Sequence, residues 1–299
     1  MQVSMRGFGV TAALAALLPV PLAGALAILW PRALGAQSAL QPGQAVPSRL
    51  PAGATHRYVV PAAQGTFVRL TIEHGGTRLR VAAHDTARPN VRPDLTTRER
   101  TAGDREPVVW SAIATSTADL TLSITSLEAT AERGYVLTLV DSRPATATDA
   151  LIVEGERLLE PGAGTDRMAD ARQALSLGET AGHVHLQARA LLLVARLHAD
   201  AGRTPEAERA LVDARDRCRA AALAPCEAQS ELRLGRLLGS TGRPDRMRER
   251  TEVARAISAR SGDLAGQAEA LVELAGLDIN QVRPDAARDR LQQALTLAR

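Results

Sequence analysis

The segment AGRTPEAERALVDA at residues 201–214 returns forty residues later as TGRPDRMRERTEVA at 241–254, and forty further as QVRPDAARDRLQQA at 281–294. A spacing held while most side chains drift means that each unit stacks on the last, since an insertion would break the stack. Gly155, Ala195, Gly235 and Ala275 are always small, and Ala174, Ala214, Ala254 and Ala294 are always alanine. A third set, Arg167, Ala207, Met247 and Ala287, is less uniform, and its first member fails. Small residues recur where two helices approach closely while outer faces vary. Each unit therefore reads as an A helix followed by a B helix. In the second unit these span about His185 to Ala201 and Thr204 to Ala221. Gly202 and Gly242 suit the turns, and Pro205, Pro244 and Pro284 suit the first turn of the B helix. The first unit is the weakest, because EGERLLEPGAGTDR shows no clear turn between its helices.

Ahead of the repeats the period is two. In FVRLTIEH (67–74), Val68, Leu70 and Ile72 alternate with Arg69, Thr71 and Glu73, as in a half-buried strand. LTLSITSL (120–127) and YVLTLV from Tyr135 do the same, and THRYVV, RLRVAAH and VVWSAIA read as three more strands. Short strands broken by Gly and Pro turns predict an antiparallel β-sandwich over residues 41–142. The polar, Pro-rich stretch 85–107 reads as a long loop, and EHGG (73–76) as a hairpin turn. Residues 147–299 read as an α–α superhelical repeat array. The expected fold class is thus multidomain β + α.

The N-terminus has the grammar of an export signal. MQVSMRG is followed by 23 apolar residues from Phe8 to Trp30, broken in polarity only by one Thr, and PRALGA ends in small residues. Cleavage after Ala36 gives a periplasmic or extracellular protein. Retention of residues 8–30, with Pro19 and Pro21 kinking the span, gives one anchored in the cytoplasmic membrane. No Cys stands where a lipoprotein anchor would need one. The net charge of +3 falls to +1 without Arg6 and Arg32, and no basic run of five occurs, so nucleic acid is not an expected partner. All 36 basic residues are Arg, which we read as genomic coding bias rather than phosphate recognition. Cys218 and Cys226 flank a short helix connection, consistent either with a disulfide clip or with two small buried residues.

The paired helices with small-residue positions resemble tetratricopeptide repeats, here with a period near forty. The order of parts is also similar to a family: signal, strand domain opening QPGQAVPSRLPAGATHRYVVPAAQGTFVRLTIEHGG, then REPVVWSAIA, LTLSITSL and GYVLTLVDSRPAT, then repeats. It resembles the N-terminal region of bacterial tetratricopeptide proteins, many of which continue into a caspase-like CHAT peptidase domain. The strand module resembles the pre-peptidase sandwich of secreted enzymes. The resemblance implies a targeting or regulatory half of such a protease, whose own domain is absent here. LQQALTLAR, with no polar helix behind it, reads as a fragment's end or as a face capped by self-association.

No catalytic constellation is visible. Neither Cys has a His in a thiolate-activating pattern, and GxSxG, P-loop and GxGxxG patterns are missing. His183 and His185 sit at i and i+2, off a common helix face, and His56, His74 and His84 lack further ligands, so no metal or cofactor is expected. Trp110 reads as a core aromatic, with sugar stacking as the alternative on which a cell-envelope glycan-binding reading rests. By the tetratricopeptide resemblance, A helices line a groove that takes a protein or peptide. The residues placed there are Arg189, Leu192 and Arg196; Gln229, Leu232 and Arg236; and Glu269, Val272 and Asn280. Arg196 and Arg236 would form a positive ladder favouring an acidic peptide. The expected function is an exported, non-enzymatic protein-interaction scaffold.

Overall fold

In a computed structural model of the chain, the residues described are 38–74, 78–85, 98–99, 108–115, 119–129, 132–160 and 164–297. The signal segment 1–36, residues 75–77 of the EHGG turn and all but a few residues of the 85–107 loop lie outside them. The order is β1 (Ser38–Ala39), β2 (Ala45–Leu50), β3 (Thr55–Val60), β4 (Thr66–Glu73), β5 (Leu79–Asp85), β6 (Arg98–Glu99), β7 (Val108–Ile113), β8 (Leu120–Ser126) and β9 (Arg133–Pro144). Eight helices follow: α1 (Ala147–Leu158), α2 (Arg167–Thr180), α3 (Val184–Asp200), α4 (Thr204–Ala220), α5 (Ala224–Ser240), α6 (Pro244–Ser261), α7 (Leu264–Asn280) and α8 (Pro284–Leu297).

The strands form two sheets, β1-β3-β8-β5-β6 and β2-β9-β4-β7. Pairings among the described residues are antiparallel except the short β1–β3 contact, which is parallel. Strict alternation drives this: in β8, Leu120, Leu122 and Ile124 are buried while Thr121, Ser123 and Thr125 are only partly so. One apolar cluster draws on both sheets, among them Leu70, Ile72, Leu137 and Leu139 from one and Leu79, Leu122 and Ile124 from the other. Trp110 sits in that cluster at 3% exposure, so it offers no face for a sugar to stack on. The chain's two tyrosines stitch the sheets together. Tyr58 and Tyr135 hydroxyls lie 2.6 Å apart, with Ser48 at 3.0 Å from Tyr58 and His56 Nδ1 at 2.8 Å from Tyr135. Burial, then the Tyr58 contact, pushes the Tyr135 hydroxyl up, so it stays protonated. Strand β2 carries Pro47 in its middle, and of its six residues Leu50 alone is buried. It survives because it pairs only with β9, at the sheet's edge, where a missing N–H is tolerated.

No free linker separates strands from helices. In DSRPATATD, the first four residues finish β9 and the last three begin α1. The joint is locked by a capping box between Thr146 and Asp149, and Arg143 donates to both Asp149 oxygens at 2.7 and 2.9 Å. The Arg143 hydrogen bond holds the Asp149 carboxyl well below the usual range.

In the helical half the period of forty resolves into two of twenty. Residues 182, 202, 222, 242, 262 and 282 all have positive φ, between 55° and 76°. Each turn closes with the same two bonds. The N–H of the positive-φ residue reaches back three residues, as from Gly202 to Ala199, and the next N–H reaches five, as from Arg203 to His198. This is the Schellman arrangement, which favours glycine at the left-handed position. Four of the six are glycine; Ala222 and Val282 are not. Between turns, Ala174, Ala214, Ala254 and Ala294 are buried at 0–6% exposure, and Ala195, Gly235 and Ala275 are likewise buried. The irregular Met247 has a local explanation. A Cβ on Gly235 would stand 2.8 Å from Thr251 Oγ1 and 3.3 Å from the Met247 carbonyl, and one on Gly239 would collide with Met247 Sδ. Gly239 thus admits the Met247 side chain where the equivalent B-helix positions carry Ala207 and Ala287.

A β-branched side chain in the left-handed region costs roughly 1–2 kcal/mol, against which glycine's extra unfolded-state entropy offsets part. Val282→Gly is expected to raise stability by about 1 kcal/mol. Gly242→Val is expected to lower it by a similar amount or more. Both are read from the shift in thermal midpoint, and equal or inverted shifts would contradict the turn geometry.

Candidate interaction surface

The odd-numbered helices lie side by side: α1 touches α3, α3 touches α5, and α5 touches α7. Their part-exposed positions recur at the forty-residue spacing. Arg189, Gln229 and Glu269 are equivalent, as are Leu193, Arg233 and Glu273, and Arg196, Arg236 and Gly276. Ion pairs cross this face. Arg189 lies 4.0 Å from Glu156 on α1, and Arg236 reaches Glu269 at 2.6 Å and Glu273 at 2.9 Å on α7. Burial alone would push the Arg236 guanidinium down, but Glu269 and Glu273 outweigh it and raise it.

The expected groove residues divide into three groups. Arg189, Gln229, Arg236 and Glu269 are half-buried on this face, while Arg196, Val272 and Asn280 are exposed. Leu192 and Leu232 are not on a surface: they are 9% and 4% exposed, the latter packed with Ala254 and Ala270. They fill the seam between successive hairpins, a role that apolar residues at an A-helix i+3 position serve more often than they line a groove. Asn280 is out of register, since the position equivalent to Arg196 and Arg236 is Gly276. The positive ladder is also corrected. Arg236 is committed to two carboxylates, whereas Arg196 makes no ion pair among the described residues.

Beneath the surface, polar groups tie each A helix to the B helices on both sides. Gln187 on α3 donates to Gly178 of α2 and accepts from Arg217 of α4. Glu231 on α5 faces Arg215 and Arg219 of α4 at 3.9 and 3.6 Å, and Arg250 of α6 at 3.5 Å. Asp278 on α7 holds Arg248 of α6 at 3.0 Å, Arg290 of α8 at 2.8 Å and Arg283 of the turn at 3.0 Å. Both carboxylates are buried, with side chains 0% and 1% exposed. Distance decides their chemistry. Around Glu231 burial outweighs Arg250, Arg215 and Arg219, and the carboxyl is pushed above its usual range. Around Asp278 burial is the largest effect too, but short bonds from Arg248 and the charges of Arg290, Arg248 and Arg283 overcome it, and the carboxyl lies below its range. Sequence reasoning missed these groups. The signal was present: Glu231 stands where the units before and after carry Leu191 and Leu271.

Cys218 and Cys226 are bonded to each other, Cα atoms 5.6 Å apart, across the α4–α5 turn. Among the described residues no group of three or more His, Cys, Asp or Glu could hold a metal ion, and no helix is long and apolar enough to cross a membrane.

No family profile matches the chain, and no curated protein matches it. Among solved structures, the apo form of RapI is 13% identical over 50% of this chain and 55% of its own, with a TM-score of 0.42. A Rap protein complexed with competence and sporulation factor is 17% identical over 50% of this chain and 42% of its own, at 0.43. MamA is 18% identical over 50% of this chain and 78% of its own, at 0.37. The chain thus spans about half the length of the two Rap structures.

Glu231→Leu is expected to leave stability within about 1 kcal/mol or raise it. Its advantage should grow as pH rises, because a carboxyl with a raised value stabilises the fold below the free glutamate value and loses that contribution on ionising. Asp278→Ala should cost about 3–5 kcal/mol at neutral pH. That loss should shrink as pH falls below about 4, since a lowered carboxyl contributes only while ionised. Urea unfolding across this range checks both.

Proposed function

We propose that the protein is an exported interaction scaffold with no catalytic role. In this reading the two sheets form a pre-peptidase-like sandwich that positions the array, and the helical units coil as a tetratricopeptide-like superhelix. Successive A helices touch more closely than successive B helices, which favours a bend with α3, α5 and α7 on its inner wall. The observation that carries the proposal is a varied surface on constant packing. At the Arg189, Gln229 and Glu269 positions charge changes from unit to unit, while the buried alanines beneath do not. Such a wall suits an extended or helical peptide. Arg196 offers the uncommitted cation, and Val272 and Ile279, at 44% and 59% exposure, offer apolar contact.

Two further parts belong to the same reading. Export fits the bonded cysteines, since disulfides persist in oxidising compartments. Self-association fits the exposed apolar side chains of Val272, Ile279 and Leu291. The second function reading is the targeting half of a CHAT-type protease, supported by the order of signal, strand module and repeats. A continuous frame downstream of codon 299 into a His- and Cys-bearing domain would select it.

Peptides selected from a displayed random library on the purified protein are expected to carry acidic residues. Arg196→Glu should weaken them about tenfold, the scale of one charge-assisted contact. Binding untouched by both Arg196→Glu and Val272→Arg would refute the wall as the docking face. An alkaline phosphatase fusion after Gln41 should be active in bacteria; an inactive, stable fusion refutes export.

A further inference from the structure

One of the contacts between the sheets and the helical array passes through an imidazole. Arg69 leaves β4 where the pairing with β9 shifts register, with Leu70 opposite Leu139 but Arg69 opposite Asp141. Such a bulge re-aims side chains. The Arg69 guanidinium reaches away from its own sheet to two groups of the array. Nη2 donates to Glu156 Oε1 of α1 at 3.1 Å, and Nη1 lies 3.1 Å from His183 Nε2 in the turn before α3. On its other side His183 is the cap of α3, its Nδ1 accepting from the Leu186 N–H at 3.2 Å.

Both neighbours of this ring are therefore donors. A neutral imidazole has one accepting nitrogen, and an imidazolium has none. With the proton on Nε2 the helix cap is kept and the Arg69 contact is only a close approach. With the proton on Nδ1 the Arg69 bond is made and the cap is lost. Protonation at both nitrogens removes whichever of the two bonds the neutral ring makes. It also sets a cation beside Arg69 of β4 and Arg189 and His185 of α3, opposed by Glu156 of α1.

We propose that His183 is an acid-sensitive latch: its neutral ring accepts from either the first turn of α3 or Arg69 of β4, and its protonation leaves neither bond and sets a cation against Arg69. Burial, then Arg69, pushes the imidazole down to about 4 from its ordinary value. The sign follows from this. A base whose value is lowered on folding contributes stability that is fully present above its free value of about 6.5 and is lost as pH falls toward about 4. The neighbouring His185 is also lowered by burial, then by Arg69 and Arg189.

The test is hydrogen exchange and imidazole NMR on the purified protein between pH 7 and pH 5. After correction for intrinsic rates, exchange at the first turn of α3 should rise about tenfold relative to α6. In His183→Asn, where asparagine can cap the helix but not ionise, that rise should be absent. The His183 resonance should titrate at least about one unit below 6.5. An imidazole titrating near its free value, or the same exchange rise in His183→Asn, would overturn the latch. Should His183→Asn fail to fold, Arg69→Leu decides: it must move the His183 titration upward, and an unmoved titration overturns the proposal.

Discussion

Six identical helix endings, each twenty residues after the last, hold the helical half in register. A turn of this kind fixes the angle at which the next helix leaves, so equal helices of 17 or 18 residues bring the same positions together again and again. Side chains at those meeting points must be small, which is why alanine is constant there. Where a methionine intrudes, Gly239 leaves room for it. The first hairpin departs from the rule because β9 runs on to Pro144, leaving α1 only 12 residues before Leu158.

Packing alone gives a weak clamp in a chain this poor in aromatics, and buried polar groups add direction to it. Each of Gln187, Glu231 and Asp278 speaks to the helix before and the helix after its own, so no hairpin can slide against its neighbours without breaking a bond in a dry place. The three differ in strength. Asp278 is well served by arginines at about 3 Å, whereas Glu231 is poorly served by arginines half an ångström further away. Arginine suits the task because its long stem can lie along apolar surface while its planar head reaches more than one acceptor.

Much of the fold was legible in the sequence, because periodicity reports which face of an element is buried. The alternation in LTLSITSL and FVRLTIEH matches β8 and β4, and the helices of the second unit match α3 and α4 to within a residue or two. Strand β2 was hidden by Pro47, whose tolerance depends on an edge position that only the assembled sheet defines. The surface was harder to read. Exposure at Leu192 and Leu232 depends on how closely the next hairpin approaches, and the neutralisation of Arg236 depends on acids thirty-three and thirty-seven residues away. The short range of sequence pattern does not reach such pairs. His183 shows the same limit, since nothing near it in sequence announces that an arginine 114 residues earlier will face it.

The twenty-residue beat also sets what kind of change the gene can absorb. Arg203 and Arg243 occupy the same place in two alternate turns, each just ahead of a new B helix. Excising residues 204 through 243 would therefore join Arg203 to Pro244 in an unaltered loop, and Glu231 would leave together with two of its three arginines. An excision of any other length would rotate every later helix and turn its alanine stripe toward water. Such a chain can grow or shrink by whole hairpins, as a text edited only in complete stanzas, and heredity in it is counted in forties.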